Sequence, residues 1–150
     1  MNKLLKIIVL VLVIGLVLSV VCFSIYGKRT LKIQTSNGIV AYRVERALTP
    51  KEQQQGLMHR EKLAPKNGMI FLFSPVRVAH MWMKNTLIPL DMVFFDHTGR
   101  VVGIHYHAIP HDETIISSIR PVAGVLEINA GEAKKFHINY GSLLNLKNLR

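Results

Sequence analysis

Ala79-His80-Met81-Trp82-Met83-Lys84-Asn85-Thr86-Leu87-Ile88-Pro89-Leu90-Asp91-Met92-Val93-Phe94-Phe95-Asp96 carries the only Trp of the chain and sets Lys84, Asn85 and Asp91 inside an otherwise apolar run. Polar groups among large apolar residues need partners or a function, because burying them unpaired costs several kcal/mol. The stretch reads as two apolar strands, Val78 to Met83 and Leu90 to Phe95, joined by a turn from Lys84 to Pro89. The polar trio then either braces that turn or lines a binding site.

Working outward, the neighbouring segments also read as β-structure. Leu31 to Thr35 and Ile39 to Val44 alternate around Ser36-Asn37-Gly38, and Asn-Gly between such runs predicts a hairpin. Met69 to Phe73, Arg100 to Ala108 and Val122 to Asn129 are further strands, and Asp96-His97-Thr98-Gly99 is a hairpin loop. Thr49-Pro50-Lys51-Glu52 has the form of a capping box with Pro in the first turn, so a short helix should start there and end at Gly56. Leu63 to Gly68 is a loop, broken by Pro65, Asn67 and Gly68. A second short helix is expected over Glu132 to Phe136. In the tail, Leu143, Leu144, Leu146 and Leu149 fall at roughly helical spacing. The expected fold class is mainly β (α+β): a compact barrel-like or rolled sheet with one or two short helices, preceded by one N-terminal transmembrane helix.

The N-terminal expectation rests on composition. Ile7 to Gly27 is a 21-residue run with no charged side chain, long enough to cross a bilayer core. It contains no Ala, and Ser19-Val20-Val21-Cys22 resembles a lipoprotein cleavage site only weakly, with Val21 a poor residue before Cys22, so an uncleaved anchor is favoured over a cleaved signal peptide. Residues 1–29 are read as the anchor or signal segment and residues 30–150 as one domain, facing the periplasm or outside. Lys3 and Lys6 on one side nearly balance Lys28, Arg29 and Lys32 on the other, so the charge bias says little about orientation.

Cys22 is the only cysteine, which rules out an intrachain disulfide and a Cys-based metal site. Residues 28–150 hold 17 Lys plus Arg against 9 Asp plus Glu. That excess favours solubility and attraction to anionic lipid headgroups. The basic residues are scattered without aromatic interleaving, so no nucleic acid is expected as a partner. The membrane, through residues 7–27, is the expected partner, together with an unidentified small molecule.

Four blocks carry a resemblance: Gly56-Leu57-Met58-His59-Arg60, Gly68-Met69-Ile70-Phe71, Trp82-Met83-Lys84-Asn85-Thr86-Leu87-Ile88-Pro89-Leu90-Asp91, and Leu126-Glu127-Ile128-Asn129-Ala130-Gly131. Over about residues 39 to 141 the chain resembles the domain of unknown function family 192. These are small bacterial and archaeal proteins, often with a signal or anchor segment. The resemblance implies a compact β-rich fold and no particular activity. The chain departs from the family pattern at Met81, where an aromatic usually precedes the Trp, and at Gly141-Ser142, where Gly-Asp is usual.

Trp82, Lys84, Asn85 and Asp91 are the candidate ligand-binding residues. Lys offers donors, Asn both donors and acceptors, and Asp acceptors, a set that beside an indole face suits a polar or anionic small molecule or a sugar ring. The competing role is bracing, because Asn and Asp side chains routinely bond the backbone in turns. An enzyme acting on envelope polymers or small anions would need a second titratable group within reach, Glu127 or His80, and catalytic residues are not assigned. A structural envelope protein is the third reading. His105 and His107 would share one strand face and His111 follows, weak candidates for a metal. No cofactor is expected. Met58, Met69, Met81, Met83 and Met92 read as core.

Overall fold

The computed structural model describes residues 28–149. The expected transmembrane helix over 7–27 lies outside the described residues. Among the described residues, no helix is long and apolar enough to cross a membrane.

The chain forms β1 (Arg29–Thr35), β2 (Gly38–Ala47), α1 (Pro50–Gln55), β3 (Asn67–Arg77), β4 (His80–Met81), β5 (Leu90–Phe95), β6 (Val101–Ala108), β7 (Ile116–Ser117), β8 (Val122–Asn129), α2 (Glu132–Lys135) and β9 (Leu143–Leu144). Seven strands make one sheet in the order β6-β5-β8-β3-β2-β1-β9, and β4 pairs with β7 in a separate ribbon. All pairings are antiparallel except β2 with β3. A parallel pair needs a crossover, and α1 with the following loop supplies it.

The central strands explain the uninterrupted apolar runs. Every residue of β5 is buried, as are seven of the eight in β8, because both sheet faces are covered. One face packs Tyr42, Ile70, Val93, Phe95, Leu126 and Ile128. The other packs Leu57, Met69, Phe71, Met83, Met92 and Phe94. The sheet also curls until its ends meet. Arg100, just before β6, bridges Leu143 of β9, and Leu144 donates its N–H to the Gly99 carbonyl at 2.8 Å. Gly99 sits at φ +86°, and a Cβ there would collide with the Leu144 carbonyl, so the seam requires glycine.

The expected hairpin is present: β1 and β2 pair from Arg29↔Val44 to Thr35↔Gly38. The capping box forms as the sequence predicts, with Glu52 N–H donating to Thr49 Oγ1 and Thr49 N–H donating to Glu52 Oε2. Thr49→Ala should therefore lower stability by about 1 kcal/mol, read from the urea midpoint, with no change in the β-sheet circular dichroism. Three expectations need correction. The Val78 to Met83 strand shrinks to His80–Met81, whose partner Ile116–Ser117 carries no strand signal of its own. β3 begins at Asn67, inside the expected loop, and continues to Arg77. The tail is not helical: Leu143–Leu144 is an edge strand that closes the seam, and Leu144, Leu146 and Leu149 are buried in the core.

Candidate functional site

The expected site residues separate when the chain folds. Asp91 lies on β5 and is wholly buried. Its Oδ1 accepts from His107 N–H at 3.0 Å, and its Oδ2 accepts from Gly131 and Ala133 N–H at 2.9 and 3.0 Å. One carboxyl group thus ties β5 to the bulge at the end of β6 and to the first turn of α2. Asn85 adopts a left-handed conformation at φ 53°, and its carbonyl accepts from His59 N–H at 2.8 Å. Asn is among the residues that tolerate this region, so Asn85 shapes the turn. Lys84 Nζ lies 5.3 Å from the centre of the Trp82 ring and 3.8 Å from Glu113 Oε2. Of the four, Trp82 borders a cleft.

That cleft has a volume of about 590 Å³ and is lined by Trp82, His80, Arg77, Phe73 and Gln53, with the cis Ser74-Pro75 peptide at its rim. Trp82 is 37% exposed. Arg77 stacks on Phe73, its guanidinium carbon 4.3 Å from the ring centre, and donates to Gln53 Oε1 at 2.9 Å. Gln53 is fixed in turn by donating to the Leu72 carbonyl at 3.0 Å. His80 Nδ1 is 2.9 Å from Ser117 Oγ. Among the described residues, no carboxylate lines this cleft. Sequence reasoning missed Gln53, Phe73 and Arg77. Gln53 reads only as helix surface, and Arg77 follows a strand whose length was underestimated.

Glu127 belongs elsewhere. It faces the second core, flanked across the sheet by Met69 on β3 and Met92 on β5. Asp91 aligns with its neighbour Ile128 and therefore points to the opposite face. The two carboxyls do not form an acid–base pair. Glu127 is 4% exposed, and burial pushes its carboxyl from the ordinary 4.5 up to about 8. Gly56, at φ +48°, lies over it: a Cβ there would be 3.9 Å from Glu127 Oε2 and 3.2 Å from Phe71. Gly56, Met69 and Glu127, from three of the four signature blocks, thus meet at one carboxyl group.

A further polar group sits near Asp91. The Tyr42 hydroxyl and Glu132 Oε2 are buried without hydrogen-bond partners, while Glu132 Oε1 accepts from Lys66 N–H at 3.1 Å. Burial, and then the Glu132 carboxyl, hold the Tyr42 hydroxyl well above its ordinary pKa.

The histidines do not share the regular strand face expected of them. The β5–β6 register shifts between Leu90↔Ala108 and Met92↔His105, and His107 takes φ 55°. No group of three or more His, Cys, Asp or Glu that could hold a metal ion occurs among the described residues.

Fold and cleft together define a small, mainly β domain whose partly closed sheet carries an aromatic, carboxylate-free cleft at one margin. Residues 31–146 match the family described as "Uncharacterized ACR", and the chain belongs to that family, the domain of unknown function family 192. Among solved structures it is similar to a protein of Sinorhizobium meliloti 1021, described as a candidate transcription regulator. The two share 44% identity with a TM-score of 0.77, covering 79% of this chain and 92% of the other. It is similar also to a protein of unknown function from Novosphingobium aromaticivorans DSM 12444, at 39% identity and TM-score 0.77, covering 79% of this chain and 84% of that one. No curated protein matches. The domain accounts for 92% of the crystallised Sinorhizobium chain.

Proposed function

We propose that the domain binds a polar, anionic small molecule, best represented by a sugar acid, against Trp82. The observation that carries this reading is the exposed indole in a cleft that presents Arg77, His80 and Gln53 and no carboxylate. An aromatic face suits the C–H face of a sugar ring, and a few fixed polar groups in a concave site supply orientation. Arg77 is held in place by Phe73 and Gln53, which lowers the entropy lost when it grips an anion. In this reading Ile7 to Gly27 tethers the domain to the membrane, and the excess of basic residues keeps it near anionic headgroups.

The description of the Sinorhizobium protein as a candidate regulator of transcription would ask for a DNA-reading element. The basic residues are scattered along the chain without aromatic interleaving, which favours a small ligand over a DNA-reading surface.

Calorimetry on residues 28–150 with a uronic-acid disaccharide and its neutral counterpart tests the proposal. Trp82→Ala and Arg77→Ala should each weaken binding of the acidic sugar by roughly tenfold or more, about 1.4 kcal/mol. The neutral sugar should bind more weakly to the unaltered protein. Equal heats for both variants and the unaltered protein would refute it.

A further inference from the structure

The Trp82 cleft does not end at its own rim. A second depression of about 510 Å³ shares Leu48, Leu72, Phe73, Ser74 and Pro75 with it. That depression shares His97 and Leu146 with a third, also of about 510 Å³, beside the seam between β1 and β9. The third differs from the first in chemistry. Its walls include Ile39, Leu143, Leu144 and Leu146, with Lys32 and Lys147 at the margin. Ile39 is 66% exposed and Leu143 42% exposed, so this apolar surface is open.

We infer that this depression is a binding site for a single-chain anionic amphiphile, the acyl chain lying on Ile39, Leu143 and Leu146 and the carboxylate at Lys32 and Lys147. Its volume lies in the range of small-molecule sites. Apolar side chains left open in a concavity gain about 25 cal/mol for each Å² that a hydrocarbon covers. The charges select the head group: two lysines border the depression, and no carboxylate among the described residues lines it. Asp96, in the adjoining hairpin turn, spends its Oδ1 on Thr98 N–H, the Thr98 hydroxyl and Arg100 N–H. The site is also held in place, because Asn145 N–H donates to the Lys32 carbonyl at 2.9 Å and Lys147 N–H donates to Asn145 Oδ1 at 3.2 Å. Both lysines are therefore carried on backbone that is bonded together. The inference does not depend on a sugar ligand at Trp82.

Titration of residues 28–150 with decanoate, and with decanol as the uncharged analogue, decides the matter by calorimetry. One decanoate per chain should bind. Ile39→Asp and Leu143→Asp should each reduce affinity at least tenfold; both side chains are exposed, so the fold should survive, as circular dichroism would check. Lys32→Glu with Lys147→Glu should weaken decanoate while leaving decanol unchanged. Trp82→Ala should leave decanoate binding intact, which separates this site from the sugar site. Absence of binding, or equal affinity for decanoate and decanol, would overturn the inference. So would a dimer in light scattering that Ile39→Asp dissociates, since the depression would then be the contact between two copies of this chain.

Discussion

Asp91→Ala is expected to be the most damaging single substitution in the domain. It removes a wholly buried acceptor from the N–H groups of His107, Gly131 and Ala133, of which Ala133 is itself buried. At 1–3 kcal/mol for the buried donor and less for the two that water can reach, the loss comes to roughly 3 kcal/mol. Small domains have only about 5–15 kcal/mol in total, so the substitution should remove a large share of the stability. Asp91→Asn keeps one acceptor oxygen and should lie between the two. Urea denaturation of the three proteins measures this directly. An Asp91→Ala protein within 1 kcal/mol of the parent would show that the carboxyl is not the brace of β5, β6 and α2.

Glu127→Gln should act in the opposite direction, and only above mildly acidic pH. Burial raises the carboxyl to about 8 from an ordinary 4.5. Between those values the unfolded chain has lost the proton that the folded chain keeps. Stability therefore falls as pH rises through that window and levels off above about 8. The amide never ionises, so the variant escapes the loss. At pH 4 the two proteins should melt together. At pH 7 the variant should be more stable by about 2–4 kcal/mol, from a difference of 1.36 kcal/mol for each pKa unit. A parent whose stability is flat from pH 5 to 8, or a variant destabilised throughout, would count against a buried, unpaired acid.

The sequence made the strands legible where their chemistry is local. Asn37-Gly38 marks the first hairpin, the Thr49 and Glu52 pair marks α1, and the bare apolar runs mark β5 and β8. It could not show β7 or β9, each two residues long and defined by a partner far away in the chain. The leucines of the tail have helical spacing, but the seam with Gly99 and Arg100 holds them in an edge strand and turn. The polar trio was legible as unusual and not as to role. Asp91 and Asn85 serve the backbone because their partners, His107, Gly131, Ala133 and His59, lie up to 42 residues away. The cleft beside Trp82 was illegible for the same reason. Gln53 comes from α1 and Phe73 and Arg77 from β3, elements brought together by the parallel pairing of β2 with β3 and by the bonds of Gln53 to Leu72 and Arg77.

Trp82 is the only Trp in the chain, so its fluorescence reports on the proposed site alone. Residues 28–150 titrated with a uronic-acid disaccharide should show a saturable shift or quenching of that emission. The change should disappear in Arg77→Ala, where the indole remains. Unsaturable emission, or an identical response in Arg77→Ala, would contradict a ligand site at this cleft.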